Sequence, residues 1–173
     1  MISATFRKQR SFEEENLIED TTGMSIEAAN SGDSSLLTKL AMDSKAYWKY
    51  TPEQLNEWKE ELTVTEQYIA DKHVYKCIYD GKVVGFYALS SLVGRIISLD
   101  FLFVLPQYIG CGVGSLLAEH AIALSRRLSA EAIMLDADPN ATAFYLKLGF
   151  EVLGHKQSTI PNRYLPVMRK TLS

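Results

Sequence analysis

The run Ile96-Ile-Ser-Leu-Asp100-Phe-Leu-Phe-Val104-Leu-Pro106-Gln-Tyr-Ile-Gly110-Cys-Gly112-Val-Gly114-Ser115 constrains this chain more than any other stretch. Its first nine residues are almost continuously apolar, rich in β-branched and aromatic types, with Asp100 as the only charge. Such a run predicts a strand covered on both faces, which Pro106 ends. Gly110, Gly112 and Gly114 follow on alternate positions. Glycine accepts positive φ and lets a ligand approach the backbone closely. Val113, Leu116, Leu117, His120, Ala121, Leu124 and Leu128 then recur at spacings of three and four, so a helix starts inside the glycine run. A strand that passes through glycines into a helix N-terminus presents unpaired amides at the positive end of a helix dipole, which predicts a phosphate site.

Spacing separates the phosphate-binding patterns. A P-loop needs Gly-Lys-Ser/Thr, and Gly114-Ser115 lacks the lysine. The dinucleotide pattern Gly-x-Gly-x-x-Gly fails because Gly110-Cys-Gly112 has Ser115 where the third glycine belongs. What remains is Gly-x-Gly-x-Gly after Val-x-Pro. It resembles the pyrophosphate loop of the GCN5-related N-acetyltransferases (GNAT family), which bind acetyl-CoA through Arg/Gln-x-x-Gly-x-Gly/Ala. Ile109 stands where that family has Arg or Gln, a departure that touches a side-chain contact more than the main-chain cradle. A second stretch, Asp138-Pro-Asn140-Ala-Thr-Ala-Phe144-Tyr145-Leu-Lys-Leu148-Gly149-Phe150, resembles the family's later motif, an Asn before a helix that ends Phe-Tyr-x-x-x-Gly-Phe. Local physics agrees: Asn140 is a good helix N-cap, Ala141, Phe144, Tyr145 and Leu148 share a face, and Gly149 is a left-handed stop.

With 173 residues, 47% hydrophobic and 23% charged, the chain fits one globular domain. We read residues 1–23 as a polar N-terminal extension and 24–173 as a single N-acetyltransferase domain. The extension is expected to be a frayed tail, a short helix around Glu13 to Ile18, or a dimer arm, which leaves a homodimer open. A net charge of −3 without a long Lys/Arg run argues against nucleic acid and acidic membranes as partners. Cys77 and Cys111 form no disulfide framework and no metal spacing, so a reducing cytoplasm is the expected setting. The chain shows neither a signal-type segment nor a long apolar span.

From Asp33 to Tyr50, Leu36, Leu37, Leu40 and Ala41 predict an amphipathic helix, followed by the cluster Tyr47, Trp48 and Tyr50. Thr51-Pro-Glu-Gln54 predicts a capped helix start, and Thr65-Glu-Gln67 a further turn or short helix. Asp80-Gly81 predicts a tight hairpin between strands Val74–Tyr79 and Lys82–Leu89. The remaining strands are expected at Met24–Ala29, Ile96–Val104, Ala132–Ala137, Phe150–Lys156 and Leu165–Leu172. The fold class is α/β, with a mixed GNAT-like sheet of six or seven strands and about four helices.

The resemblance implies an N-acetyltransferase that moves an acetyl group from acetyl-CoA to a primary amine of a small molecule or peptide. In that family the pantetheine arm pairs with the strand edge that is Leu102, Phe103 and Val104 here. The phosphates lie on Ile109, Gly110, Cys111, Gly112, Val113, Gly114 and Ser115, and Asn140 contacts the cofactor arm. Tyr145 matches the tyrosine near the sulfur, whose phenol suits protonation of the leaving thiolate. Asp100 is the candidate base, directly or through water, because a carboxylate buried in an apolar strand has a raised pKa. Its competing role is a structural acceptor for nearby amides. Alternation places it on the face of Ser98, Leu102 and Val104. His120 falls on the core face of its helix, and His73 and His155 at strand boundaries, where structural roles are the commoner ones. The first two helices overhang the acceptor pocket in the resembling family, so Tyr47 and Trp48 are candidate acceptor contacts. Ser158, Thr159 and Arg163 lie in a polar loop between the last two strands, and Arg163 suits a carboxylate or phosphate on the acceptor. A longer acyl-CoA donor, or a CoA-binding protein without turnover, stays open as an alternative.

Overall fold

The structure, a computed structural model, describes residues 18–19 and 23–173. The proposed helix at Glu13–Ile18 and the dimer arm lie outside the described residues, except that Ile18 begins a two-residue strand, β1 (Ile18–Glu19). The chain then runs β2 (Met24–Ala28), α1 (Ser34–Ala46), α2 (Pro52–Glu57), α3 (Glu66–Asp71), β3 (His73–Tyr79), β4 (Lys82–Leu89) and β5 (Ile96–Val104). It continues through α4 (Val113–Arg127), β6 (Ala132–Asp136), α5 (Thr142–Lys147), β7 (Glu151–Gln157) and β8 (Tyr164–Thr171). The strands form one sheet in the order β1-β2-β3-β4-β5-β6-β8-β7, antiparallel except where β5 pairs parallel with β6. Among the described residues the sheet is therefore seven strands plus a short edge strand, with five α-helices where the sequence predicts about four. The fifth is gained because α2, α3 and α5 are single six-residue segments. Among the described residues no helix is long and apolar enough to cross a membrane.

Local signals account for most boundaries. The Thr51 hydroxyl accepts from Gln54 N–H, and the Gln54 side chain accepts from Thr51 N–H, as the capping box requires. Asp80 and Gly81 both adopt positive φ, 49° and 70°, the geometry of a two-residue hairpin turn. Gly149 ends α5 at φ 84°. His155 lies inside β7 rather than at its boundary.

Each face of the sheet carries its own core. On one face α4 and α5 pack through Val113, Leu117, Ala121 and Tyr145 onto Val84, Tyr87, Ile97 and Ile133. On the other, Leu37, Leu40 and Ala41 of α1 join Trp58, Leu62 and Ile69 over Phe86 and Ala88. Gly85 lets α4 approach the sheet: a Cβ there would lie 2.9 Å from Leu117 Cδ1, 3.0 Å from Val113 Cγ1 and 2.9 Å from the Phe103 carbonyl. This close seat sets the height of the α4 N-terminus, and hence of the glycine loop, above β5.

A bulge in β5 shapes the rest. Ala88 opposes Phe101 and Leu89 opposes Leu99, so Asp100 is the extra residue. Such a residue reverses the alternation of the strand beyond it. Before the bulge Ile97 and Leu99 face the α4 core; after it Leu102 and Val104 do, while Phe101 and Phe103 turn to the α1 side. The expectation that Asp100 shares a face with Leu102 and Val104 is thus overturned, because simple alternation does not survive an inserted residue. Pairing with β6 stops at the same place, with Ile96–Ser98 opposite Ala132–Met134 and nothing beyond. The two strands diverge and open the sheet.

Candidate active site

The divergence of β5 and β6 is the floor of a cleft of about 1180 Å³. At one end lies the glycine loop. Gly110 and Gly112 take φ of 83° and 89°, open to the cleft with nothing within 4 Å of an added Cβ. Tyr108, Ile109 and Cys111 bond their amides back to Leu105, Pro106 and Tyr108. Among the described residues the amides of Gly110 and Gly112 have no such partner, and those of Val113, Gly114 and Ser115 occupy the first turn of α4, whose first internal bond is Leu116 N–H to the Gly112 carbonyl. These free donors converge at the positive end of a fifteen-residue helix. The loop fits a pyrophosphate without needing a cationic side chain. Ile109, 38% exposed, nonetheless lines the cleft.

The other predicted donor-side residues separate. Leu102, Phe103, Val104, Gly114, Ser115 and Asn140 line the cleft; Cys111 and Val113 do not. Cys111 is exposed with its amide already bonded, and Val113 is fully buried under the loop in contact with the core. Asn140 is not the helix N-cap that the sequence suggests. Asp138 instead caps a 3-10 turn over Pro139–Ala141, accepting the Asn140 amide at 2.9 Å, and α5 follows that turn from Ala141 with no side-chain cap of its own. An aspartate two residues earlier competes successfully because Pro139 holds the turn that brings its side chain onto that amide.

Tyr145 projects from α5 into the middle of the cleft, packed against Phe144 and Phe150 at ring distances of 5.1 and 5.5 Å. Burial, and then the nearby charge of Asp138, push its phenol above the ordinary tyrosine range, so it stays protonated at neutral pH. Among the described residues its hydroxyl makes no hydrogen bond within the protein.

Asp100 also lines the cleft. The expectation that it is buried is not met: it is exposed, because the bulge pushes it out at the point where β6 departs. Tyr68, from α3, donates its hydroxyl to Asp100 Oδ2 at 2.6 Å and packs edge-on against Phe101 at 5.5 Å. Burial and the hydrogen bond to Asp100 raise the Tyr68 phenol far above its usual value.

The far end of the cleft gathers Trp48, Ser158, Thr159 and Arg163. Tyr47 stays outside, 48% exposed and edge-on to Trp48. The centre of this end is Asp138, which binds Lys45 Nζ at 2.6 Å, Tyr50 Oη at 2.7 Å and Arg163 Nη2 at 3.0 Å. Burial works to raise the Asp138 pKa, but Lys45 and the donors around it outweigh this and hold it below the usual carboxylate value. Burial lowers Lys45 despite the bond to Asp138. Sequence reading singled out neither Lys45, Asp138 nor Trp58 for this end of the site. Lys45 ends α1 and Asp138 follows β6, and no local pattern links positions so far apart.

The family model described as "Acetyltransferase (GNAT) family" matches residues 41–150, which contain the loop, the bulge and Tyr145. The chain belongs to the GNAT family. Among curated GNAT relatives, the peptidyl-lysine N-acetyltransferase YjaB of Escherichia coli is 36% identical over 74 residues, 43% of this chain and 46% of that protein. The chain thus spans under half the length of the curated relatives it matches. Among solved structures, the PaiA N-acetyltransferase of Thermoplasma acidophilum in complex with coenzyme A superposes with a TM-score of 0.71 at 19% identity, covering 86% of this chain and 98% of that one. The ribosomal-protein-S18-alanine N-acetyltransferase of Escherichia coli gives 0.67 at 18% identity, covering 87% and 94%. At such identities the likeness establishes the GNAT fold.

Proposed function

We propose that this GNAT protein is an acetyl-CoA-dependent N-acetyltransferase that acts on a primary amine of a small molecule or peptide by direct attack. The observation that carries the reading is a continuous cleft running from the free amides of Gly110–Ser115, past the open edge of β5, to the unbonded hydroxyl of Tyr145. Acetyl-CoA, when bound, supplies an acetyl group on a thiolate leaving group. The loop amides hold the pyrophosphate, and the main chain of Leu102–Val104, unpaired on the β6 side, holds the pantetheine arm. Tyr145 Oη, a protonated phenol in a buried setting, donates its proton to the departing sulfur. Asp100 Oδ1, free of hydrogen bonds among the described residues while Tyr68 holds Oδ2, takes the amine's proton directly or through water. The peptidyl-lysine relative supports a peptide amine as one acceptor class.

The test is release of CoA thiol from acetyl-CoA, and separately from a longer acyl-CoA, against a panel of small amines and lysine peptides. Faster release with acetyl-CoA is the expected result. CoA binding without release for any amine would replace the enzyme reading with a CoA-binding module.

A further inference from the structure

The acceptor end of the cleft holds a group of secluded charges that the chemistry at Tyr145 does not use. The acceptor capacity of Asp138 is filled: Oδ1 takes the Asn140 amide at 2.9 Å and Asn140 Nδ2 at 3.0 Å, while Oδ2 takes Lys45 Nζ, Tyr50 Oη and Arg163 Nη2. The donors are not filled. Arg163 uses Nη2, which reaches Tyr50 Oη and Asp138 Oδ2 at 3.0 Å, and its Nη1 and Nε make no hydrogen bond among the described residues. Lys45 makes a single one.

Lys45 and Arg163 are each 14% exposed and Asp138 is 16% exposed, so two cations share one carboxylate away from bulk water. Both cations also rest on Trp58, at 4.6 and 4.9 Å from the ring centre, which fixes their position. The other charges at this end are the Lys156–Asp136 pair, 63% and 39% exposed, and exposed Glu61. Water and salt screen those rim charges far more than the secluded group. Within this secluded group two cations face one carboxylate whose acceptor capacity is filled, so a ligand group placed against it meets an excess of positive charge and unused hydrogen-bond donors. A neutral group leaves the donors unmatched, and a second ammonium is repelled. A carboxylate or phosphate oxygen matches the N–H groups that Arg163 leaves unused on Nη1 and Nε, with the Lys45 ammonium beside them.

We propose that Arg163 and Lys45, held in place by Asp138 and Trp58, form an oxyanion subsite that selects amine acceptors carrying a carboxylate or phosphate group. The proposal rests on the N-acetyltransferase reading for its substrate, but the subsite itself does not depend on turnover.

Two measurements test it. The first compares kcat/KM for matched acceptors: β-alanine against β-alaninamide, 2-aminoethyl phosphate against ethanolamine, and the dication cadaverine. The anionic member of at least one pair should be preferred by about tenfold or more, and the preference should fall toward one in Arg163→Gln and Lys45→Met. The second reads the melting temperature of the wild-type protein with saturating CoA and either glutarate or methyl phosphate, which carry no amine. A rise with one of them, absent in Arg163→Gln, supports the subsite, and which anion works separates carboxylate from phosphate. Equal or better use of the neutral acceptors or of cadaverine overturns the proposal. If no amine releases thiol, the enzyme reading fails by itself. The melting measurement then decides the subsite alone, and no shift with either anion overturns it.

Discussion

Tyr68 Oη lies 2.6 Å from Asp100 Oδ2, so a hydroxyl on a short helix pins the one residue that the β5 bulge inserts. The pairing leaves Oδ1, on a residue that lines the cleft, without a hydrogen bond among the described residues. It also explains how an exposed carboxylate can keep a defined orientation, since the Tyr68 ring is itself anchored on Phe101.

Asp100→Asn should reduce kcat/KM mainly at pH values below the pKa of the amine, with partial recovery at high pH, where the amine is already neutral. A general base contributes about 10² to 10⁴ in rate. Tyr68→Phe should give a smaller loss and, combined with Asp100→Asn, add almost nothing further. The check is a set of pH–rate profiles for the two single variants and the double. A near-normal neutral-pH rate in Asp100→Asn would move the base to water or another group.

Tyr145→Phe should lower kcat by a similar factor of about 10² to 10⁴, but evenly across pH, since its step follows loss of the amine proton. Binding of CoA should persist, because the hydroxyl lies away from the loop amides. Pre-steady-state thiol release at several pH values reads this, and a defect that vanishes at high pH would assign Tyr145 a different role.

Gly112→Asp should abolish thermal stabilisation by CoA. The wild-type loop gains about 2.7 kcal/mol at a hundredfold excess of ligand over its Kd, whereas an aspartate at φ 89° sets a carboxylate beside the phosphate amides. Ile109→Arg is the complementary change: its side chain lines the cleft beside the loop, so affinity for CoA should rise. Calorimetric titration of both variants checks the pair, and equal affinities in wild type and Ile109→Arg would mean that the new guanidinium points away from the phosphates.

Acid stability should depend on His120. The residue is 3% exposed, its Nδ1 shares a hydrogen bond with the Tyr87 hydroxyl over 2.7 Å, and its pKa is held down to about 4 by burial and by Arg127. The unfolded chain binds this proton near the ordinary 6.5. Stability from this group is therefore complete above about pH 6.5, is lost as pH falls toward about 4, and changes no further below that. The whole loss is on the order of 3 kcal/mol. His120→Gln, which has no proton to gain but whose amide can still hydrogen-bond with Tyr87, should flatten the melting-temperature profile between those values. An unchanged slope would place the acid sensitivity in other groups.

Local chemistry carried most of the strand and helix plan into the sequence. The Thr51 capping box, the Asp80-Gly81 turn, the Gly149 stop and the helix start at Gly112 each depend on residues a few positions apart, so the chain states them directly. The glycine loop and the short helix that carries Tyr145 were legible for the same reason: glycine spacing and a sharp helix end are local patterns. What only the tertiary structure decided are relations between distant segments. The bulge that exposes Asp100 exists because β4 pairs with β5 out of simple register, and pairing partners do not show in a strand's own alternation. Asp138, not Asn140, caps the turn that leads into α5 because Pro139 turns the chain under it, and its carboxylate holds Lys45 from α1 and Arg163 from the β7–β8 loop, both over Trp58. Those charges are 93 and 25 positions away from Asp138 in the chain. They meet because burial of ions is tolerated only where opposite charge and hydrogen bonds are supplied together, a condition that folding imposes on the whole chain at once.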